Sequence, residues 1–188
     1  MPDEIDTQQI DLWSEDEARV GQQGSLCRIW AKRGTRPRKV KQRQFISTYL
    51  YAAACHSTGE SCALILPCAN TDMMNIFLKE LSDKIASDRH AALIIDKAGW
   101  HVAHELEVPS NITLIPLPPY SPELNAVEQI WEWLRNHHFS NQCYKNYEHI
   151  VESVSTAWNE IAFRKDLIKS IIFRKWIKLP SYLQNYFL

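Results

Sequence analysis

The sequence predicts an α/β protein in which a mixed, five-stranded sheet is flanked by helices. Two observations predict this class: three strand-like segments follow one another early in the chain, and helical and strand-like segments alternate thereafter. A third is the continuously apolar run at residues 91–95 (AALII), which is typical of a central strand buried on both faces. With 188 residues, 45% of them hydrophobic, the chain is long enough to form one domain with a substantial core.

The first three strands are predicted from local composition. Residues 10–20 interleave apolar and polar side chains, residues 44–55 (QFISTYLYAAAC) are rich in aromatic and β-branched side chains, and residues 61–66 form a shorter apolar segment. Three glycines interrupt the basic stretch between the first two strands: Gly21, Gly24 and Gly34. We therefore expect an antiparallel meander whose first connection is a long hairpin loop.

The next segments alternate between helix and strand. Asn70 or Thr71 can cap a helix that runs to about residue 87 with one apolar stripe. The strand at 91–95 follows, then a short helix from about Trp100 and a further apolar strand at 112–117.

The last part of the sequence predicts only helices. Leu124, Val127, Trp131 and Leu134 lie on one face of a helix, and two more helices are predicted at 147–161 and 165–178. A meander that continues into β-α-β units gives a mixed sheet covered by helices, and this is the element order of the ribonuclease H fold.

The predicted domain organisation is correspondingly simple. We expect a short tail at residues 1–9, a ribonuclease H-like domain at 10–140, and C-terminal helices at 141–188 packed on the same domain.

Charge is segregated along the chain, although the formal net charge is only −1. Residues 1–17 are acidic, whereas residues 32–43 contain seven basic side chains and no acid. Such a stretch is either a surface that contacts nucleic acid phosphate or a solvated hairpin tip. The candidate DNA-binding residues are Trp30, Lys32, Arg33, Arg36, Arg38, Lys39, Lys41 and Arg43.

Cysteine usage and the N-terminal sequence argue for a reducing compartment. The five cysteines include no C-x-x-C pair, which predicts neither a disulfide framework nor a zinc site. The first residues lack the pattern of a secretory signal, and the longest apolar-rich run, at 45–55, is too short to span a bilayer. We expect a cytoplasmic protein without a membrane segment.

Two acids are predicted to meet at one edge of the sheet. Asp16 is placed at the end of the first strand, and Asp96 at the end of the buried strand at 91–95. If these strands are parallel neighbours, their ends lie roughly 4.8 Å apart, and a divalent cation would relieve the repulsion between the carboxylates. Two other readings remain open: Asp16 as an ordinary acid beside Glu15 and Glu17, and Asp96 as a turn residue before the helix at Trp100.

Glu128 is the candidate for a third carboxylate at this site. It lies four residues after Leu124 and three before Trp131, on the apolar face of its helix, where a lone carboxylate is costly to bury without a partner. Alternatively, Glu128 is the third-position glutamate of a capping box with Asn125 as N-cap.

Three stretches resemble the catalytic blocks of mariner-superfamily DDE transposases, and the resemblance is closest to the bacterial insertion-sequence branch. They are SEDEARVG, LIIDKAGWH and LPPYSPELNAVEQIWEWLR, and the third is the most specific. The 31 residues between Asp96 and Glu128 are close to the separation in that family. Residues 30–37 also resemble its hairpin motif, so that the match covers about residues 12–135.

The resemblance implies a site and a reaction. Asp16, Asp96 and Glu128 would be the catalytic metal ligands, which selects Asp16 over its acidic neighbours. They would hold two Mg²⁺ ions, which Mn²⁺ can replace, and the reaction would be DNA strand cleavage at transposon ends followed by strand transfer into target DNA. His101 and Asn125 are candidates for positioning substrate, although His101 can equally pack locally.

The resemblance also implies partners and a location. These are transposon-end and target DNA, a second copy of the chain in the active complex, and a separate helix-turn-helix polypeptide, all in a bacterial cytoplasm near the nucleoid. The predicted catalytic strand begins near residue 10, where family members carry a DNA-recognition region first. The chain is therefore expected to be half of a split gene, with that region on a separate polypeptide, or a cut or truncated copy.

Two residues depart from the family pattern. Lys97 stands where the family usually has Asn, and Ala126 stands where it usually has Pro. The alternatives are therefore another ribonuclease H-like nuclease, such as a junction resolvase, and a non-catalytic DNA-binding or inhibitory fragment.

Overall fold

The computed structural model describes residues 7–119 and 121–174, and its centre is a five-stranded sheet. The strands are β1 (Ile10–Gly21), β2 (Ser47–Cys55), β3 (Ser61–Leu66), β4 (His90–Ile95) and β5 (Ile112–Pro116). Their order across the sheet is β3-β2-β1-β4-β5. The meander of β1, β2 and β3 is antiparallel, whereas β4 pairs in parallel with β1 and with β5, so the sheet is mixed as predicted.

Within the described residues, four α-helices cover the sheet. They are α1 (Thr71–Lys84), α2 (Glu128–Leu134), α3 (Tyr147–Ala162) and α4 (Lys165–Ile172). The side chain of Asn70 caps α1 and that of Asn146 caps α3, each by accepting a backbone N–H three residues later. A π-helical turn, Arg135–Phe139, continues α2.

The two faces of the sheet bury different cores. On one face, α2, α3 and α4 pack against alternate residues of β2, such as Leu50 and Ala52. On the other, α1 packs against the residues between them, such as Tyr51 and Ala53. The same alternation along β1 places Trp13 in the α1 core and Val20 in the core beneath α2–α4.

Several predicted boundaries are wrong, and each error has a local cause. β2 begins at Ser47 rather than at residue 44, because Ser47 pairs with Gly21, the residue at which β1 ends. The helix predicted from Leu124 begins at Glu128, since Pro122–Leu124 forms a separate 3₁₀ turn. The helix predicted from Trp100 is only the 3₁₀ turn Gly99–His101.

The ends of the predicted elements are affected as well. α1 ends at Lys84 rather than near residue 87, because Ile85 adopts an extended backbone. The last helix ends at Ile172, and its predicted continuation beyond residue 174 lies outside the described residues, as does most of the tail at 1–9.

The long connection between β1 and β2 contains no helix or strand. Residues 22–46 run in extended and irregular conformations, with one turn in which Thr35 bonds back to Lys32 and Gly34 adopts a φ of 85°. Within residues 7–119 and 121–174, no helix combines the length and apolar character that crossing a membrane requires. All five cysteines are free thiols.

Candidate active site

Strand register brings the first two acids to the same edge of the sheet. The parallel pairing of β1 with β4 ends at Ser14 and Ile94, so Asp16 and Asp96 each lie two residues further on. Asp96 is the first residue after β4, whereas Asp16 lies inside β1, opposite Ala52 of β2. The prediction that Asp16 ends its strand is therefore wrong, because β1 continues alongside β2 after β4 has stopped.

Glu128 reaches the site as the first residue of α2. The start of this helix is fixed by buried Asn125, whose side-chain amide donates to the backbone oxygen of Glu15 at 2.8 Å and whose Oδ1 accepts from Val127 N–H at 3.2 Å. Asn125 therefore fastens α2 to the strand that carries Asp16.

The capping box considered for Glu128 is not formed. The backbone N–H of Glu128 bonds to the backbone oxygen of Asn125 instead of to its side chain, and the N–H of Asn125 is taken by Pro122. The carboxylate of Glu128 is therefore not used to cap its own helix.

The three predicted acids line one cleft of about 430 Å³, together with Lys97 and Asn125. The loop after β5 closes the cleft from the side of Pro118 and Pro119. A second cleft of about 370 Å³ also touches Asp16 and Glu128, and it extends past Arg135 to Tyr144. The carboxylates of Asp16 and Glu128 thus lie where two grooves meet.

The electrostatics of Asp16 favour a bound cation. Burial, and then the negative charge of Glu128, raise the pKa of Asp16 to about 7, although Trp131 stabilises the carboxylate by donating Nε1–H to Oδ2 at 2.8 Å. The charges of Asp16 and Glu128 repel each other in this partly buried cleft, and a hard divalent cation relieves that repulsion. A donor set made only of carboxylate oxygens fits Mg²⁺ or Mn²⁺.

Asp96 lines the cleft and also stabilises the turn that follows β4. Its side chain is 52% exposed, and Oδ1 accepts from Ala98 N–H at 2.8 Å and from His101 Nδ1–H at 2.7 Å. The turn-residue reading of Asp96 is therefore also correct. Because both donors use Oδ1, Oδ2 is the oxygen that remains available to a cation.

His101 lies behind Asp96 rather than in the cleft. Its side chain has no exposed surface, and its second ring nitrogen, Nε2, lies 3.1 Å from Oε1 of Glu17. Burial lowers the pKa of His101, but hydrogen bonding and charge from Glu17 and Asp96 outweigh burial and raise it. The Nδ1–H of the imidazole donates to Asp96 and thereby orients that carboxylate.

Two acids that sequence analysis set aside lie on the opposite face of β1. Glu15 and Glu17 point towards α1 and the turn at Gly99–His101, because strand residues on either side of Asp16 face away from it. Burial, and then the charges of Glu17, Asp16 and Asp96, raise the pKa of Glu15 well above its usual value. The period of two along β1 is the signal that predicts this separation.

The candidate DNA-binding residues all lie on the irregular segment at 22–46 and are all exposed. Trp30 is fully exposed, with an accessibility of 103%. Both ends of the segment are fastened to the chain after α2: Gln42 exchanges two hydrogen bonds with the backbone of Tyr144, and Cys27 N–H donates to Asn141. The basic side chains are therefore presented to solvent from an anchored loop close to the second cleft.

This sheet order is that of the ribonuclease H-like fold. Acids on β1, directly after β4 and at the start of α2 are the arrangement expected of a DDE nuclease with that fold. The chain matches the DDE superfamily endonuclease family over residues 11–151, and it belongs to that family.

Two relatives extend this assignment. The chain is 42% identical over 128 residues to the uncharacterized protein y4pE/y4sA of Sinorhizobium fredii, an alignment that covers 68% of this chain and 95% of the relative. It is 28% identical over 155 residues to the insertion element IS630 uncharacterized 39 kDa protein of Shigella sonnei, covering 77% of this chain and 45% of that protein. The chain is therefore similar to an insertion-element protein of roughly twice its length.

Solved transposase structures share the fold. The Mos1 strand transfer complex superposes with a TM-score of 0.60 at 18% identity, covering 94% of this chain and 52% of the Mos1 chain. The Mos1 mariner paired end complex with Mn gives 0.59 at 14% identity, covering 86% and 53%. These matches confirm the predicted ribonuclease H-like fold, and they show that the chain spans about half the length of the Mos1 protein.

Proposed function

We propose that this chain is the catalytic domain of a mariner-type transposase that cleaves DNA strands at transposon ends and joins them to target DNA. The observation that carries the proposal is the shared cleft of Asp16, Asp96 and Glu128, which come from three separate elements. Family membership and the fold of the Mos1 transposase support the same reaction class.

The three acids are proposed as ligands of two Mg²⁺ ions, with Mn²⁺ as a substitute. Solved paired end complexes of Mos1 include one with Mn and one with Mg. When bound, such ions polarise the scissile phosphate and activate the attacking hydroxyl. The chain's own contribution is to hold the oxygens in place: Trp131 fixes Asp16, His101 fixes Asp96, and Asn125 fixes the start of the helix that carries Glu128.

DNA is the proposed partner, and the exposed basic segment is its proposed contact. Residues 30–43 offer seven cationic side chains and the fully exposed ring of Trp30 to a phosphate backbone. Because these side chains are exposed, their energetic contribution would come from the released counterions rather than from buried contacts.

The assembly is proposed by analogy with the relatives. A paired end complex of Mos1 supports a homodimer on two DNA ends. A helix-turn-helix polypeptide that recognises those ends is the further proposed partner. We place this assembly in a bacterial cytoplasm, at the nucleoid.

The direct test is a cleavage and strand-transfer assay on end DNA with Mg²⁺. Substituting Glu128→Gln or Asp96→Asn should lower the rate by at least about 100-fold, because even the groups that orient metal ligands are worth 10–100-fold. Glu132→Gln is the matched control, since Glu132 is an exposed acid on the same helix. Activity of wild-type magnitude in either ligand variant would show that the assignment is wrong.

A non-catalytic DNA-binding fragment is the second candidate, and Lys97 favours it. Lys97 lines the same cleft as the three acids, so its positive charge competes with a cation there. DNA binding without cleavage, restored to cleavage by Lys97→Asn, would favour this candidate. Cleavage of a four-way junction but not of end DNA would instead indicate a junction resolvase.

A further inference from the structure

We propose that Glu15, Glu17 and His101 form a second cation site, suited to Zn²⁺ or a similar transition-metal dication, on the face of β1 opposite the catalytic cleft. One ligand atom from each of the three residues lies within 4.8 Å of the other two. The site does not depend on the proposed reaction, because none of its three ligands belongs to the Asp16, Asp96 and Glu128 set.

Burial is the observation that points to a ligand. Glu15 has no exposed surface, and neither of its carboxylate oxygens has a hydrogen-bond partner among residues 7–119 and 121–174. The side chain of Glu17 is 5% exposed and that of His101 is fully buried. A carboxylate buried without a hydrogen bond is among the most costly groups in a protein core, and His101 Nε2 at 3.6 Å from Glu15 Oε2 is too distant to supply one, so the retention of Glu15 indicates a bound ligand.

The geometry fits a small cation. His101 Nε2 lies 3.1 Å from Glu17 Oε1 and 3.6 Å from Glu15 Oε2. Tetrahedral zinc with bonds of about 2.0–2.2 Å holds neighbouring ligand atoms about 3.3–3.6 Å apart. An imidazole nitrogen beside two carboxylates favours Zn²⁺ or Mn²⁺ over Mg²⁺, which prefers oxygen ligands throughout.

Charge balance favours the same occupant. A dication, two carboxylates and a neutral imidazole sum to zero, which removes the repulsion between two buried acids. The ion takes the place of the proton on His101 Nε2, and of the proton on Glu15 where that carboxyl is protonated, and these protons are released to solvent on binding.

Hydrogen bonds from neighbouring residues hold two of the proposed metal ligands in place. Asp96 accepts Nδ1–H of His101 at 2.7 Å, which directs Nε2 towards the two glutamates. Trp100 donates Nε1–H to Glu17 Oε1 at 2.8 Å. Carboxylate–histidine–metal chains of this kind fix the tautomer and the direction of the ring. Asp96 would thus link the second site to the catalytic cleft.

The experiment measures Zn²⁺ and Co²⁺ binding in a chain that carries Asp16→Asn and Glu128→Gln, so that the catalytic cleft contributes no binding. We expect one equivalent of Zn²⁺ to remain after dialysis, and Co²⁺ to give the visible absorption of a four-coordinate site. Adding Glu15→Gln or His101→Gln should weaken binding by at least 10-fold. His90→Gln is the matched control, because His90 is a buried histidine of β4 bonded to Thr113.

The proposal is overturned if the double variant binds neither ion, or if Glu15→Gln and His101→Gln bind as tightly as their parent. The first result would leave a protonated Glu15 as the explanation of its burial. Pulsed EPR of Mn²⁺ bound to the double variant needs no substitution at the site, so it remains informative where Glu15→Gln fails to fold. Coupling to an imidazole nitrogen supports the site, and its absence argues against it. Cleavage assays on the wild-type chain report separately on the proposed function.

Discussion

Asp16 is held in an environment that opposes its own charge. It is partly buried, it faces Glu128 across the cleft, and hydrogen bonds from Trp131 and from the backbone of Glu17 only partly offset these effects. Such an arrangement lowers the stability of the metal-free fold, because the charged form is favoured more in the unfolded chain. Sites that bind cations through clustered acids generally carry this cost until the ion is present.

We therefore predict that Asp16→Asn stabilises the metal-free protein at pH 8. The folded pKa of Asp16, about 7, lies above its ordinary value of 3.8, so stability is lost as the pH rises through this range. Removing the charge should raise Tm by a few degrees, on the order of 2–6 °C. The measurement is thermal unfolding in EDTA, followed by circular dichroism.

The control for this prediction is the response to Mg²⁺. The ion should raise Tm of the wild-type chain and leave that of Asp16→Asn nearly unchanged. A variant that is less stable than wild type in EDTA would contradict the proposed repulsion between Asp16 and Glu128.

At the scale of elements, β1 organises both sites because it is longer than its parallel neighbour. β4 ends at Ile95, while β1 continues to Gly21 along β2, so the carboxylate of Asp16 projects from the part of the strand that β4 leaves uncovered. At the other end of the β1–β2 pair, Ser14 Oγ lies 2.8 Å from Nε2 of His56, the first residue after β2. This contact fixes the turn between β2 and β3 against β1.

His56 gives this contact a pH dependence. Burial, and then the positive charge of Arg174, lower the pKa of His56 from 6.5 to about 4. A base with a depressed folded pKa takes up a proton on unfolding, so its contribution to stability is complete above pH 6.5 and lost as the pH falls towards 4.

We predict that His56→Gln makes stability less sensitive to acid. Between pH 7 and pH 4.5, the Tm of the wild-type chain should fall further than that of the variant, by on the order of 5 °C. The comparison is between two thermal unfolding series, so that contributions from the other titrating groups cancel. Parallel curves for the two proteins would show that His56 does not titrate in this range.

At the scale of the whole molecule, charge is separated between the site and the segment proposed to bring DNA to it. The acids gather at one edge of the sheet, while the basic segment is held beside the second cleft by Gln42, Tyr144 and Asn141. The formal net charge of −1 hides this separation. DNA affinity should therefore depend on a local patch rather than on the total charge.

We predict that neutralising Lys32, Arg33 and Arg36 with Gln flattens the salt dependence of DNA binding. Each lost phosphate contact lowers the slope of log K against log salt by about 0.9, so the change should be at most about 3. Fluorescence anisotropy with a labelled duplex from 50 to 200 mM salt measures the slope. An equivalent triple substitution of Lys79, Lys84 and Lys169, all exposed on helices, should leave the slope unchanged.

Much of the fold was predictable because its signals are local. The aromatic and β-branched run before Cys55, the apolar strand before Asp96 and the Asn70 cap each predict an element without reference to the rest of the chain. The start of α2 was not predictable in the same way. Leu124 continues the apolar stripe of that helix, but Asn125 is drawn away to bond the backbone of Glu15, more than a hundred residues earlier.

The sequence alone determined the element order, the family resemblance and the candidacy of Asp16, Asp96 and Glu128. Only the tertiary structure decided where β1 continues beyond β4 and that Asp96 is shared between the cleft and His101. It also decided that Glu15 is buried without a hydrogen bond from any residue that the structure describes. The physical reason is the separation along the chain over which each effect acts. Periodicity and capping act over a few residues, whereas register, desolvation and carboxylate pairing depend on groups that only the folded sheet brings together.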